Sequence, residues 1–465
     1  MSSWVRLGGV MVCLAILVAP AGLLAAEVPV LELPELVKMA LEFSPQVKAS
    51  KSEVDAAKQQ HEQAKSHYYP QIEAVAITGV APNTRRPEVR GSSIYFPDPS
   101  NRIHGVSWFG RIDAHVFQPL YTFGKIAHRK KAASHNIKVK EAQVEEKKGD
   151  VIWDLSRAYY GLILAQQGVG EVKDARVYLS DIRERIDRLL RLGSPAVQES
   201  DRYRLDMYEG SVDKFAAEAE EGAKVAYKAI KALIDYGPNQ DFKVPLELPQ
   251  PSAPPAAVEQ YVEKALDLRP EFAQLKEGLE ARKLLVEAAK ADRWPSLFLG
   301  LKGAYAGAPG RQTWHNPYSE DYFNTSYAFP YLGMHMHLDF GITKAKIGQA
   351  QAELHQLQNM QGTALMGIPV EVAQAYGKVK ESYKKTLGLD RAYVNARRWL
   401  VTELSNFDMG IGKMDNIFQA FERYGQFRGD YLMALYDYHL AKVQLDKATG
   451  MYRVRLPGEK EGQSQ

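Results

Sequence analysis

The chain has 465 residues, and its 59 lysines and arginines nearly balance 56 aspartates and glutamates, which leaves a formal net charge of +3 at pH 7. Such a balanced chain offers no electrostatic case for binding nucleic acid. Its one cysteine is Cys13, so a mature chain that has lost its first residues would have no disulfide, no thiolate nucleophile and no cysteine-bound metal.

Residues 1–26 are predicted to be a secretory signal peptide. Arg6 precedes a short apolar run at 10–18, and Ala25 and Ala26 are small residues of the kind found at cleavage sites. The apolar run is too short to span a bilayer. We therefore expect a chain that leaves the cytoplasm and is not an inner-membrane helix protein.

An internal repeat organises the rest of the chain. Segment 36–46 resembles segment 261–271 at an offset of 225 residues, and Phe123 corresponds to Phe340 at an offset of 217 residues. Because the matches keep their order and spacing, chance is a poor explanation. We predict a first structural repeat at 27–240, a proline-rich surface linker at 241–256, a second structural repeat at 257–451 and a disordered tail at 452–465.

Each repeat reads as helix, strand, loop, strand, very long helix, sharp turn and helix. Strong helix formers with apolar residues at three-to-four spacing indicate the helices. At 1.5 Å per residue, a long helix of about 65 residues would measure roughly 100 Å. Each return helix is expected to stack end to end on the entry helix of the other repeat. The helices are predicted at 34–66, 125–192, 196–236, 257–292, 343–407 and 413–450.

The strand signal is an alternation of apolar and polar residues at 106–117 and 332–340, with weaker segments at 71–80 and 296–305. About ten residues of alternation with aromatic clusters at the ends are typical of an outer-membrane strand. A soluble sheet with one buried face is the alternative. The polar positions predicted to face the interior of a barrel are Arg111, Asp113, His115, His335, His337 and Asp339.

Four strands cannot close a barrel, and lipid does not tolerate an open sheet edge. Two copies of the chain would give eight strands, whose interior is filled by side chains. Three copies would give twelve strands and an open bore. The predicted fold is therefore mainly α with a membrane β part: a long α-helical barrel continued by a twelve-stranded barrel in a homotrimer.

Several weak motifs occur here in a fixed order: duplicated entry segments of helix, proline, helix and proline, the sequence Phe123-Gly124-Lys125, an Ala-Tyr pair in each long helix, and the segments 407–424 and 431–450. As a set they resemble the TolC-like outer-membrane efflux protein family. The resemblance implies a homotrimer in the outer membrane that extends into the periplasm. It also implies a periplasmic adaptor protein and an inner-membrane pump as partners, in drug or metal efflux or in type I protein secretion.

The same resemblance implies roles for the two sharp turns between helices. In the family, these tips contact the adaptor and close the inner end of the tunnel. Asp415, with Gly410 and Gly412, corresponds to the closing aperture, although its spacing from Gly410 is one residue shorter than usual and Phe418 replaces a second acid. An acid favoured by the helix dipole is the alternative for Asp415. The predicted adaptor-docking residues are Arg191, Leu192, Gly193, Ser194, Asp408 and Met409.

No catalytic constellation appears in the sequence. His61-Glu62 lacks the second histidine of a zinc protease, and the segment from Gly410 to Lys413 lacks the spacing of a phosphate loop. No enzyme activity, cofactor or metal is expected, although the row of His335, His337 and Asp339 superficially resembles a metal site. The alternatives to an export channel are a soluble periplasmic coiled-coil adaptor or chaperone and a porin-like channel without a pump.

Overall fold

The computed structural model describes residues 28–84, 88–90, 92–95, 105–237, 240–253, 257–312 and 320–455. The predicted signal peptide, residues 254–256 of the predicted linker and residues 456–465 of the predicted tail lie outside these ranges. Among the described residues, no helix is both long and apolar enough to cross a membrane.

The described chain is mainly helical and contains one four-stranded antiparallel sheet, as the sequence predicts. The helices are α1 Leu33–Phe43, α2 Pro45–Ser66, α3 Lys125–Arg191, α4 Glu199–Ile234, α5 Val258–Leu268, α6 Pro270–Ala291, α7 Ile342–Asp408, α8 Met414–Thr449 and α9 Tyr452–Arg455. The strands are β1 Gln71–Pro82, β2 Glu88–Arg90, β3 Ser93–Tyr95, β4 Val106–Tyr121, β5 Ser296–Gly307 and β6 Thr325–His335.

Proline divides each predicted entry helix into two. Ser44 adopts a non-helical backbone conformation before Pro45, which is the conformation that a following proline favours. The Ser44 hydroxyl accepts a hydrogen bond from the Val47 backbone N–H at 3.4 Å and so caps α2. Pro270 begins α6 in the same way after Arg269. Both prolines occupy the first helical turn, where a missing N–H costs nothing.

The two halves of the chain contain helices of equal length. α1 and α5 have 11 residues each, α2 and α6 have 22, α3 and α7 have 67, and α4 and α8 have 36. The first long strand of each half, β1 and β5, has 12 residues. The sheet and the hairpin turns are therefore separated by the same length of helix in both halves.

The elements lie side by side in the same sequence at each level of the molecule. The sheet order is β1, β4, β5, β6. Beyond the sheet, α2 packs on α3, α3 on α6, and α6 on α7. Towards the turns, α4 packs on α3, α3 on α8, and α8 on α7. The first half therefore supplies one edge of each level, through β1, α2 or α4, and β6 or α7 supplies the other edge.

The return helices stack on the entry helices of their own half. Ile230 and Ile234 of α4 join Leu36 of α1 in one buried cluster, and Ala448 of α8 packs with Ala265 of α5 in another. The prediction of stacking between halves is therefore wrong. The physical reason is that α1 and α4 pack on the same helix, α3, which brings their ends together.

Two predictions about irregular segments also need correction. The described part of the proline-rich linker contributes to the core, because Phe242, Val244 and Leu248 are each less than 5% exposed. The predicted disordered tail begins with an ordered turn, α9. Tyr452 is buried, and its hydroxyl donates a hydrogen bond to the Glu145 carbonyl at 2.8 Å.

Candidate functional site

One face of the four-stranded sheet is apolar and exposed. In an antiparallel ladder, directly opposed residues share a face, as Ile72 does with Val116 and Ile112 with Tyr305. We call this side the apolar face. Within the four strands it carries no aspartate, glutamate, lysine, arginine or histidine. Its large exposed side chains are Ile72, Val80, Val106, Trp108, Ile112, Leu297, Leu299, Leu301, Tyr305, Leu332 and Met334.

The opposite side, the polar face, carries every aspartate, glutamate, lysine, arginine and histidine side chain of the same strands. Those side chains are Glu73, Arg111, Asp113, His115, Lys302 and His335. Four residues predicted to face a barrel interior are among them. Glu73 and Lys302 lie directly opposite His115 on its two neighbouring strands, and His115 hydrogen-bonds the Tyr331 hydroxyl. Within the four strands, charge is therefore confined to one face, a separation that transmembrane strands and half-buried soluble sheets share.

Arg111 is covered rather than open on the polar face. Only 6% of the Arg111 surface is exposed. The guanidinium donates to both carboxylate oxygens of Asp113, at 2.7 and 2.6 Å, and to the Tyr322 carbonyl at 2.8 Å. The Tyr322 ring lies over the guanidinium, 4.2 Å away. Alternation in the sequence predicts the face of Arg111 but gives no sign of the loop that covers it.

The predicted strand at 332–340 is wrong at its far end. β6 ends at His335, so His337 and Asp339 lie outside the sheet. The His335 and His337 rings are 4.5 Å apart. Asp339 instead caps α7: its carboxylate accepts hydrogen bonds from the Thr343 backbone N–H at 2.9 Å and from the Thr343 hydroxyl at 2.5 Å. It also accepts one from the Gly341 N–H at 3.2 Å.

The capping contacts make a pH-dependent contribution to stability. The hydrogen bond from the Thr343 hydroxyl is the largest cause that lowers the pKa of Asp339 from 3.8 to about 2. Because the folded pKa is depressed, the stabilisation is complete above pH 3.8 and is lost as the pH falls towards 2. We expect Asp339→Asn to melt below the unchanged protein at pH 7, with the difference shrinking over that acid range. A difference in melting temperature that stays constant with pH would contradict the capping role.

The hairpin turns form the end of the molecule opposite to the sheet. Gly193 and Gly410 have positive φ angles of +66° and +79°, which favour glycine. A Cβ on Gly412 would lie 2.6 Å from the Phe407 backbone nitrogen, so a larger residue would displace the turn. Leu192, Met409 and Ile411 are 74%, 65% and 76% exposed. The turns therefore present apolar side chains to solvent. The predicted tip residues Arg191, Leu192, Gly193, Ser194, Asp408 and Met409 all lie at these turns.

Two ion pairs link the hairpins near their turns. Arg185 of α3 donates to both carboxylate oxygens of Asp408 at 2.8 and 2.9 Å. Arg204 of α4 donates to Asp415 of α8 at 2.5 Å, and Gln419 also donates to Asp415, at 2.6 Å. The hydrogen bond from Arg204 is the largest cause that lowers the pKa of Asp415. Asp415 is therefore an ionised and partnered acid at the start of α8.

Sequence reasoning missed Arg185 and Arg204. Their acidic partners lie 223 and 211 residues away along the chain, so local spacing carries no signal for either pair. The internal repeat does not help, because the pairs join different halves. These arginines become visible when the two hairpins are placed side by side.

The hairpins share a buried core directly behind the turns. Phe418 is fully buried and stacks on Tyr208 with ring centroids 5.6 Å apart. The Arg204 guanidinium lies 5.0 Å from the Phe418 ring. The Tyr208 hydroxyl donates to Glu422 at 3.1 Å. Phe418 therefore packs beneath the guanidinium of the Arg204–Asp415 pair, on the side of the protein core. Its buried ring cannot contribute a second negative charge to the predicted aperture.

Within the described ranges, no group of three or more histidine, cysteine, aspartate or glutamate side chains could hold a metal ion. The arrangement instead offers three separate features: a sheet with one apolar and one polar face, a covered arginine near the far end of that sheet, and ion-paired hairpin turns at the other end of the molecule.

No protein-family model matches the sequence, and the curated proteins contain no significant match to it. Solved structures do match. The chain is similar to the outer-membrane channel OprN, with a TM-score of 0.73 and 16% identity over 90% of this chain and 89% of that one. It is similar to the Campylobacter jejuni CmeC outer membrane channel, with a TM-score of 0.72 and 16% identity over 90% and 85% of the two chains.

The outer membrane protein VceC from Vibrio cholerae matches with a TM-score of 0.71 and 15% identity over 90% of this chain and 96% of that one. Each of these similarities covers 90% of this chain. At such low identity they bear on architecture. The chain therefore has the TolC-like outer-membrane channel fold.

Proposed function

We propose that this chain is one subunit of a homotrimeric outer-membrane channel that conducts molecules passively out of the periplasm. The observation that carries the proposal is the four-stranded sheet, whose apolar face has no charged side chain and whose polar face has all of them. The apolar face would contact lipid, and the polar face would line a bore. A soluble coiled-coil protein would expose this apolar face to water, and soluble proteins rarely expose large contiguous apolar patches.

The edges of each level support the assembly of three copies. β1 and β6 are the outer strands of the sheet and would leave backbone groups unpaired in lipid. Pairing β6 of one copy with β1 of the next satisfies these groups. Two copies would close eight strands around a filled interior, whereas three close twelve around an open bore. Each level below the sheet has four helices side by side, so three copies would close twelve helices around the continuation of the bore.

The hairpin turns support a docking role at the periplasmic end. Leu192, Met409 and Ile411 are exposed apolar residues at the point farthest from the sheet. We propose that they contact a periplasmic adaptor protein, which joins the channel to an inner-membrane pump. The channel itself would perform no catalysis. The cargo would be selected mainly by the pump.

The test of the channel proposal combines fractionation with conductance. We expect the protein to sediment with outer membranes, to change mobility on gels when heated, and to form pores in planar bilayers. Full solubility after osmotic shock would refute the channel and favour the soluble adaptor or chaperone. Pores whose loss leaves export by every inner-membrane pump intact would favour a porin-like channel without a pump.

The closing role of Asp415 has its own expected result. Arg204 neutralises part of each Asp415 charge, but the Asp415 side chain is 55% exposed, so three copies near a symmetry axis would still present carboxylate oxygens to cations. We expect Asp415→Ala to raise single-channel conductance or to weaken block by divalent cations. Ser200→Ala, at an exposed position of α4, is the control and should leave both unchanged. Unaltered conductance and block in Asp415→Ala would remove this residue from the aperture.

A further inference from the structure

We propose that Tyr322 and Phe323 form a fixed constriction at the outer end of the bore and set the size of molecule that can pass there. This inference rests on the proposed channel function. The two residues precede β6, and both contact residues of the polar face of the sheet, Tyr322 through Arg111 and Phe323 through Phe109. They lie at the end of the sheet farther from the helices, where β4 begins and β5 ends.

The first support for the constriction is the way Arg111 holds Tyr322. Burying a guanidinium is costly unless it is paired and hydrogen-bonded. Here Nε and Nη2 bind Asp113, Nη1 binds the Tyr322 carbonyl, and the Tyr322 ring covers the remaining face. Displacing Tyr322 would leave this charge without two of its contacts. The segment is therefore held on the wall of the bore.

A second arginine holds the same segment from the other side. Arg311 donates to the Asp321 carboxylate at 2.8 Å and to the Pro82 carbonyl at 2.5 Å, so it joins the segment to the end of β1. The Asp321 carboxylate also accepts a hydrogen bond from the Phe323 N–H at 3.1 Å. The Arg311 and Asp321 side chains are 12% and 6% exposed. Because this ion pair is largely shielded from water, it fixes the segment more firmly than an exposed ion pair in a loop would.

Aromatic packing completes the attachment. The Phe323 ring meets Phe109 of β4 edge to face, with centroids 4.9 Å apart, and the Arg311 guanidinium lies 5.1 Å from the same ring. Phe109 lies on the polar face, in a small buried cluster with Ala81 and Ala308. Tyr322 remains 49% exposed. A molecule in the bore would therefore meet the tyrosine ring, while both arginine charges are shielded from it.

This arrangement selects by size more than by charge. The positive charges at this level are neutralised by Asp113 and Asp321, and the exposed surface is an uncharged aromatic ring. Removing the two rings should widen the outer end of the bore. It should leave the hairpin turns at the other end of the molecule unchanged.

The single cysteine of the sequence, Cys13, lies in the predicted signal peptide, so one engineered cysteine can report access to the bore. Lys302 is exposed on the polar face, four residues closer to the helices than Ala306, which lies opposite Arg111. Intact cells carrying Lys302→Cys would be treated from outside with a small charged maleimide and with a polyethylene-glycol maleimide. Access from outside does not depend on the state of the hairpin turns.

We expect the small reagent to label Lys302→Cys and the polymer reagent to label it slowly. Adding Tyr322→Ala and Phe323→Ala should raise the polymer labelling rate at least about tenfold, which corresponds to a barrier lowered by about 1.4 kcal/mol. Arg111→Gln should also raise it, because Tyr322 loses its charged support. Tyr305→Ala is the matched control, since Tyr305 lies on the apolar face and is 68% exposed.

Equal polymer labelling with and without the two rings would overturn the constriction, and so would exclusion of both reagents from every variant. Heat-modifiable gel mobility would show that each variant is assembled. Failure of the proposed function gives a different result, because the unchanged protein would then form no pores in planar bilayers. A protein that conducts but shows equal labelling would refute the constriction alone.

Discussion

An arginine in place of Ile112 is expected to lower the free energy of unfolding from lipid vesicles by about 2–4 kcal/mol per subunit. Ile112 lies in the middle of the apolar face, opposite Ala76 and Tyr305, and is 55% exposed. At this position a guanidinium would have to leave water for hydrocarbon. Three copies of the change in one trimer should prevent most of the protein from assembling. The measurement is denaturant unfolding in vesicles, with heat-modifiable mobility as a check in cells.

Val75→Arg is the matched control for this substitution. Val75 neighbours Ala76 in β1, so it lies at the same depth as Ile112, but on the polar face and opposite Asp113. Its exposed fraction, 44%, is similar. We expect this variant to assemble and unfold almost as the unchanged protein does. If both arginines were equally tolerated, or equally harmful, the assignment of the apolar face to lipid would be wrong.

Phe418→Ala is expected to destabilise the paired hairpins by about 3–5 kcal/mol, the usual cost of removing a buried phenylalanine ring. The cavity would lie under Arg204 and beside Tyr208, so the Arg204–Asp415 pair would lose its support. We expect backbone amides of α4 and α8 near the turns to exchange hydrogen faster, while those of the sheet stay protected. Hydrogen exchange followed by mass spectrometry would measure this difference.

The control for Phe418 is Phe215, a phenylalanine on α4 that is 56% exposed. Phe215→Ala removes the same ring from a partly solvated site and should change exchange near the turns little. Unchanged exchange in Phe418→Ala would mean that the hairpins do not depend on this core. Faster exchange throughout the protein would mean that the hairpins are not an independent unit of stability.

The regular part of the fold follows from local sequence. Prolines at 45 and 270 set where helices begin, glycines at 193 and 410 set where the hairpins turn, and alternation sets the faces of β4. Each of these signals arises from the conformational limits of a few neighbouring residues. The equal helix lengths follow from the repeat, since a duplicated pattern specifies the same element twice.

The predictions that are wrong and the contacts that the sequence does not reveal depend on interactions beyond the local pattern of each segment. Alternation continues past His335, but the hydrogen bonds from Thr343 and Gly341 draw Asp339 into a helix cap instead. The prolines of the linker predict a surface segment, yet Phe242 and Val244 of this segment belong to the buried core. Arg111 and Tyr322 are 211 residues apart, so no local pattern connects them.

The equal lengths of α3 and α7 place the two hairpin turns at the same distance from the sheet. Seven extra residues in one of these helices would carry its turn about 10 Å beyond the other turn. Arg185 would then no longer reach Asp408, and the two turns would no longer end at one height. The distance between the sheet and the hairpin turns is therefore set by both halves at once. It can change only if α3 and α7 are lengthened or shortened by the same number of residues.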